Sequence, residues 1–161
     1  MNKIYLQLGS NLKERFSNIE NSMFLLQKTV GNITKKSDYF ETNPWGHTQQ
    51  PKFINLVIEI ESSLKAQEVL KKCLIIEDKL GRVRTKKWGS RIIDIDILFF
   101  NQDIINQSNL IIPHPFIQER NFVLIPLNQI ASELVHPILQ KSIKHIKENC
   151  TDKEKVVKYE L

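Results

Sequence analysis

"FINLVIEIE", Phe53–Glu61, is the stretch on which the fold turns. Side chains two apart share a face of a strand. Ile54, Leu56, Ile58 and Ile60 therefore point one way, and Phe53, Asn55, Val57, Glu59 and Glu61 point the other. One face is wholly apolar and belongs on a core; the other mixes aromatic, amide and acidic groups. Downstream, Val69, Cys73, Ile76 and Leu80 recur at helical spacing, and Gly81 offers a stop. Upstream, "NPWGHTQQPK" is a loop and "SDYFET" a second strand. "KIYLQL" places Ile4, Leu6 and Leu8 on one face of a first strand. After the polar turn "LGSNLKERF", Ile19, Met23, Leu26 and Val30 mark a helix closed by Gly31. A further strand, "RIIDIDILFF", follows a cationic loop. "IIPHPFIQERNFVLIPL" then reads as loop plus short helix, and the Lys-rich remainder as a helical tail from about Leu139. The order strand, helix, strand, strand, helix, strand predicts an α+β, ferredoxin-like β-α-β-β-α-β sandwich with additional C-terminal elements.

The 161 residues suit one domain spanning 1–161. A composition that is 41% hydrophobic and 25% charged is that of a soluble globular chain. The net charge of +5 admits nucleic acid, anionic lipid or a polyphosphate ligand without choosing among them. Cys73 and Cys150 form no C-x-x-C and no metal spacing, which fits reduced thiols. Without an apolar leader or membrane-length segment, the expectation is a cytoplasmic protein.

"GRVRTKKWGSRIIDIDILFF", Gly81–Phe100, sets five cations (Arg82, Arg84, Lys86, Lys87, Arg91) against two strand aspartates. Asp94 and Asp96 share a face, roughly 6.6 to 6.8 Å apart along the chain. Ile93, Ile95 and Ile97 must take the core face. At an effective dielectric near 20 the two carboxylates repel by about 2.4 kcal/mol, so something should offset them. Arg82 and Arg91 can do so as ion pairs. Alternatively the acids hold Mg²⁺, which takes one or two protein carboxylates and completes its shell with water and phosphate. Metal beside Arg and Lys is also what a triphosphate needs as charge builds up in transfer. A D-x-D alone does not decide between these. No P-loop, G-x-G-x-x-G or kinase catalytic set occurs, and no EF-hand loop surrounds the aspartates.

Phe53 and Asn55 share a face, and Phe122, Trp45 and Trp88 stand elsewhere in loops or near them. Rings beside an amide suit a flat heteroaromatic ligand; the alternative is that Phe53 and Phe122 are ordinary core residues. "PHPF" holds His114 between two prolines, as a stiffly presented phosphate donor or as a structural turn histidine. Arg120 is either a second phosphate donor or a solvated charge.

Taken together, "LGSN" (Leu8–Asn11), "ETNPWG" leading to "QPKFIN" (Glu41–Asn55), "IEDKLGRVRTKKWGSRIIDIDILFF" (Ile76–Phe100) and "IPHPFIQERNFVLIPL" (Ile112–Leu127) resemble the 6-hydroxymethyl-7,8-dihydropterin pyrophosphokinases of folate biosynthesis. The likeness runs from about Tyr5 to Pro137. It implies a ferredoxin-like fold and transfer of pyrophosphate from ATP to the pterin hydroxymethyl group, giving AMP and the pterin diphosphate. By position, it implies that Asp94 and Asp96 bind two Mg²⁺ ions with ATP, and that Arg82 and Arg91 stabilise the β,γ-phosphates. Arg84, Lys87, Trp88, Ile97, His114, Phe116 and Arg120 would line the ATP site with Glu77 near it. Phe53 and Phe122 would sandwich the pterin, and Asn55 would read its edge with help from Thr42, Pro44 and Trp45. The partners implied are these two small molecules, with no nucleic acid and no membrane, acting on a monomer. The loops "LGSNLKERF", "NPWGHTQQPK" and "VRTKKWGS" would close over the site. Four positions depart from the family pattern: Asn109 stands where a basic residue is frequent, Lys87 for arginine, Phe116 for tyrosine and Leu74 for a polar residue. Two readings compete. A polymerase-β-like nucleotidyltransferase shares "GSRIIDID" but needs a wider spacing from Ser90 and a third acid. An RNA-binding module of the same fold class needs an aromatic strand motif that does not occur.

Overall fold

A computed structural model describes residues 1–43, 49, 51–81 and 92–161. The elements are β1 (Asn2–Ser10), α1 (Arg15–Thr29), β2 (Asn32–Lys36), β3 (Phe40–Thr42), β4 (Phe53–Ser62), α2 (Ala66–Lys79) and β5 (Asp94–Phe100). There follow β6 (Ile105–Gln107), β7 (Leu110–Ile112), a 3-10 turn (Ile117–Glu119), α3 (Asn121–Ala131), α4 (Ile143–Glu148) and β8 (Val156–Lys158). One antiparallel sheet runs β5-β1-β4-β3-β8, with β2 also paired to β4; β6 and β7 form a separate hairpin. Among the described residues four helices flank the large sheet.

Alternation along the central strands sorts the sheet into two faces. Leu6, Leu8, Ile54, Leu56, Ile58, Ile60, Ile95 and Ile97 pack on one face against Ile19, Met23 and Leu26 of α1 and Val69, Cys73 and Ile76 of α2. The opposite face carries Tyr5, Val57 and Phe99, covered by Val123, Leu124 and Leu127 of α3 and by Ile143 and Ile146 of α4. Burying one such aliphatic side chain contributes roughly 1.5–3 kcal/mol, so the two cores dominate the energetics. No helix among the described residues is long and apolar enough to cross a membrane.

Two sequence expectations change and one is borne out. "SDYFET" is not one strand: the edge strand begins earlier, at Asn32, and breaks at Ser37–Tyr39. There the Ser37 hydroxyl accepts the Val57 N–H at 3.0 Å and the Ser37 N–H donates to the Val57 carbonyl at 2.9 Å. The side chain stands in for the ladder, so the strand bends past one extra residue. The chain from Leu139 is not a helical tail: only Ile143–Glu148 is helical, and Val156–Lys158 forms β8 on the edge of β3. The short helix expected in "IIPHPFIQERNFVLIPL" is the eleven-residue α3, capped from outside by the tail, where Asp152 accepts the Asn121 N–H at 2.9 Å.

Candidate active site

Strand register assembles the site. Asp94 lies opposite Gly9, and Gly9 lies opposite Asn55; Asp96 lies opposite Gln7, and Gln7 opposite Val57. Directly opposed residues of antiparallel strands share a face. The aspartates, Gln7, Gly9, Asn55 and Phe53 therefore occupy one face, the one that α3 and α4 cover lower down. Adjacent strands are about 4.8 Å apart, so the Asp94 and Asn55 backbones stand roughly 10 Å apart across Gly9. As the alternation required, Ile93, Ile95 and Ile97 are buried on the other face, and both aspartates are half-buried.

The acid strand is braced from its open edge. The Ile95 N–H, between the two aspartates, donates to Glu77 Oε2 at 2.8 Å. Glu77 belongs to α2 and is itself buried. The family resemblance implied a place near the ATP site for it; the structure gives it the backbone of β5 as a partner. The Cys73 thiol, one helical turn earlier, is pushed up to about 12 by burial, with Glu77 and Asp96 adding to the effect. Cys73 and Cys150 are both free.

The pairing of β1 with β5 slips by one residue at Tyr5/Leu6, which leaves Leu98 without an opposite partner. Its carbonyl instead accepts the His114 N–H at 3.0 Å, and this seats His114 beside the acid strand. His114 Nδ1 accepts the Phe116 N–H at 3.2 Å, so in the neutral ring the proton sits on Nε2. Burial, with the Arg120 guanidinium adding to it and Asp94 opposing, pushes the imidazole down to about 4. The histidine is thus both a structural acceptor and a neutral donor at neutral pH. Arg120 is buried, not solvated. Its guanidinium carbon lies 4.8 Å from the Phe116 ring centre and 5.5 Å from that of Phe122, within cation–π range of both.

Asn55 is buried, and its amide donates to the Thr42 hydroxyl at 2.9 Å. Thr42 contributes its side chain here. Gly9 completes the row: a Cβ there would lie 2.5 Å from Asn55 Oδ1 and 3.5 Å from the Phe53 ring. Phe53 is half-buried, and Phe122 is half-buried against the second core. Ile97 points into the helical core, away from the acids. Asn109, in the β6–β7 turn, exchanges two side-chain hydrogen bonds with Gln67 of α2, at 3.0 and 3.1 Å, while Leu74 is exposed on α2. Pro44, Trp45, Arg82, Arg84, Lys87, Trp88 and Arg91 lie outside the described residues. Gln7 and Gly9 were not singled out in the sequence. An amide inside the alternating "KIYLQL" was the available signal for Gln7.

The model of the 7,8-dihydro-6-hydroxymethylpterin-pyrophosphokinase family matches residues 5–132. The chain belongs to that family. A 2-amino-4-hydroxy-6-hydroxymethyldihydropteridine pyrophosphokinase of Aquifex aeolicus is 39% identical over 91% of each chain. One of Bacillus subtilis is 42% identical over 83% of this chain and 81% of its own. The crystal structure of Plasmodium falciparum HPPK-DHPS wild type with SDX-DHP superposes with a TM-score of 0.75 at 19% identity. That match covers 92% of this chain and 43% of the longer one, and it carries the fold alone. Membership in the pyrophosphokinase family sets aside the nucleotidyltransferase and RNA-binding readings.

Proposed function

We propose that this protein transfers pyrophosphate from ATP to the hydroxymethyl oxygen of 6-hydroxymethyl-7,8-dihydropterin, a step of tetrahydrofolate biosynthesis. The alcohol oxygen bonds to the β-phosphorus of ATP, the bond from that phosphorus to the oxygen bridging the α-phosphate breaks, and AMP leaves. The hydroxyl proton passes to water. The observation that carries the reading is the single row Asp94–Gly9–Asn55 across three strands. It sets the acid pair and an aromatic–amide set side by side, as transfer between two bound substrates requires.

Mg²⁺ fits the acid pair. Asp94 and Asp96 offer hard oxygens on one half-buried face, and no group of three His, Cys, Asp or Glu closes around a metal among the described residues. That leaves coordination positions for water and phosphate. The two aspartates would hold two ions, which supply charge neutralisation for the phosphates. In this reading His114 donates Nε2–H and Arg120 its guanidinium to the nucleotide, with Arg82, Arg84, Lys87, Trp88, Arg91 and Phe116 around it. Ile97 contributes through its backbone, since its side chain is in the core. Glu77 keeps β5 and its acids in place. Phe53 and Phe122 stack on the pterin while Asn55, held by Thr42, reads its edge beside Pro44 and Trp45.

The strand order β5-β1-β4-(β2, β3), with α1 and α2 on one face, supports a ferredoxin-like core built from one domain over residues 1–161. We take the protein to act as a cytoplasmic monomer, in keeping with its two free thiols. The deciding experiment supplies ATP, Mg²⁺ and the pterin and identifies the adenine nucleotide formed. AMP that appears only with pterin is expected. ADP, or no pterin diphosphate from folded protein, refutes the assignment.

A further inference from the structure

Gln7 is a buried amide on the site face, opposite Asp96 on one side and Val57 on the other. The roles assigned above do not use it. Its Nε2 donates to the carbonyl of Phe122 at 3.4 Å. Phe122 stands in the first turn of α3, where its carbonyl would ordinarily accept the N–H four residues on. That residue is Pro126, which has no N–H and lies inside the helix. The sequence of α3 thus orphans one carbonyl, at the residue whose ring borders the site. A side chain from β1 fills the vacancy.

We propose that Gln7 is a positioning residue for the pterin. It replaces the helix bond deleted by Pro126 and so ties the first turn of α3 to the sheet row Gly9–Asn55, with Phe53 beside it. The spacing between the Phe122 ring and that row is then set by a hydrogen bond from strand to helix, and not by helix packing alone. This inference rests on the pterin reading of Phe53, Asn55 and Phe122.

The test pairs Gln7→Leu with Pro126→Ala, singly and together. Gln7→Leu keeps bulk and removes the donor. One lost hydrogen bond corresponds to about a 3- to 10-fold rise in the dissociation constant and KM for pterin, with the affinity for an unreactive ATP analogue held within about two-fold. Pro126→Ala restores an N–H for the Phe122 carbonyl, so in its background Gln7→Leu should cost less than about two-fold. Equal losses for both substrates, no loss for pterin, or an undiminished loss in the Pro126→Ala background would overturn the proposal. Should the proline variant not fold, hydrogen exchange decides on Gln7→Leu alone. The Val123 and Leu124 amides, bonded to the Arg120 carbonyl at 3.1 and 3.0 Å, should exchange faster; unchanged protection refutes the tie. A wild-type protein with no pterin-dependent AMP would defeat the functional reading instead, and the exchange comparison would still judge the tie.

Discussion

Gly9→Ala is the most searching perturbation of the proposed pterin half of the site. Gly9 does not have a positive φ, so alanine meets no backbone objection there. The objection is space. The added methyl would sit 2.5 Å from Asn55 Oδ1, where an ordinary carbon–oxygen contact is about 3.3 Å or more. The amide must retreat by nearly an ångström. It is short, buried and bonded through Nδ2 to Thr42 at 2.9 Å, so retreat stretches or breaks that bond. The Phe53 ring, 3.5 Å from the same methyl, is already in contact. Overpacking of this kind costs about 1–3 kcal/mol, which for a chain of this size lowers the melting temperature by roughly 2–12 °C. Pterin affinity, read by titration in the presence of an unreactive ATP analogue, should fall by about ten-fold or more, because the edge-reading amide is displaced. Affinity for the analogue itself should stay within about two-fold. A folded Gly9→Ala protein that binds pterin like wild type would refute the placement of Asn55 as its reader.

Three other outcomes follow from the same geometry. Asp96→Ala should lower turnover by ~10²–10³-fold while the protein stays folded; wild-type turnover would remove the metal assignment. Phe122→Ala should weaken pterin binding by roughly ten- to a hundred-fold through lost stacking and leave nucleotide binding nearly intact; an effect confined to ATP would contradict the site map. His114, held down to about 4 in the folded chain by burial and by Arg120, returns to about 6.5 when unfolded. The unfolded chain therefore binds more protons between these values, and stability falls as pH drops through that window, by on the order of 3 kcal/mol at most from this group. His114→Gln should flatten denaturant-melt stability against pH between about 6.5 and 4 in metal-free protein; an unchanged slope would mean that the imidazole is not held neutral.

Long, strongly periodic elements were legible from the sequence. β1, β4, β5, α1 and α2 follow directly from their alternation or helical spacing, because each must bury one face. The acid pair was legible for the same reason: a two-residue period forces Asp94 and Asp96 onto one side. Elements stabilised by partners elsewhere were not. β8 is a short, mostly exposed run in a Lys-rich tail, and only its pairing with β3 makes it a strand. The break between β2 and β3 depends on the Ser37 hydroxyl reaching Val57. In the site, the departure at Asn109 is absorbed locally by Gln67. The importance of Gly9 lies in where Asn55 leans, and that of Gln7 in a proline 119 residues away in sequence. Such long-range coincidences leave no local pattern to read.

Asp152 caps α3 at Asn121, the Tyr159 N–H donates to the Tyr39 carbonyl at 2.8 Å, and β8 closes the edge of β3 beside Thr42. Both walls of the proposed pterin side are therefore fastened by residues 152–159. On the ribosome the chain emerges from its beginning, and the two large helices and first strands can collapse early. The substrate-reading side has to wait for that last stretch to be made. A stalled or clipped chain can thus be compact and helical, and still carry an unfinished site.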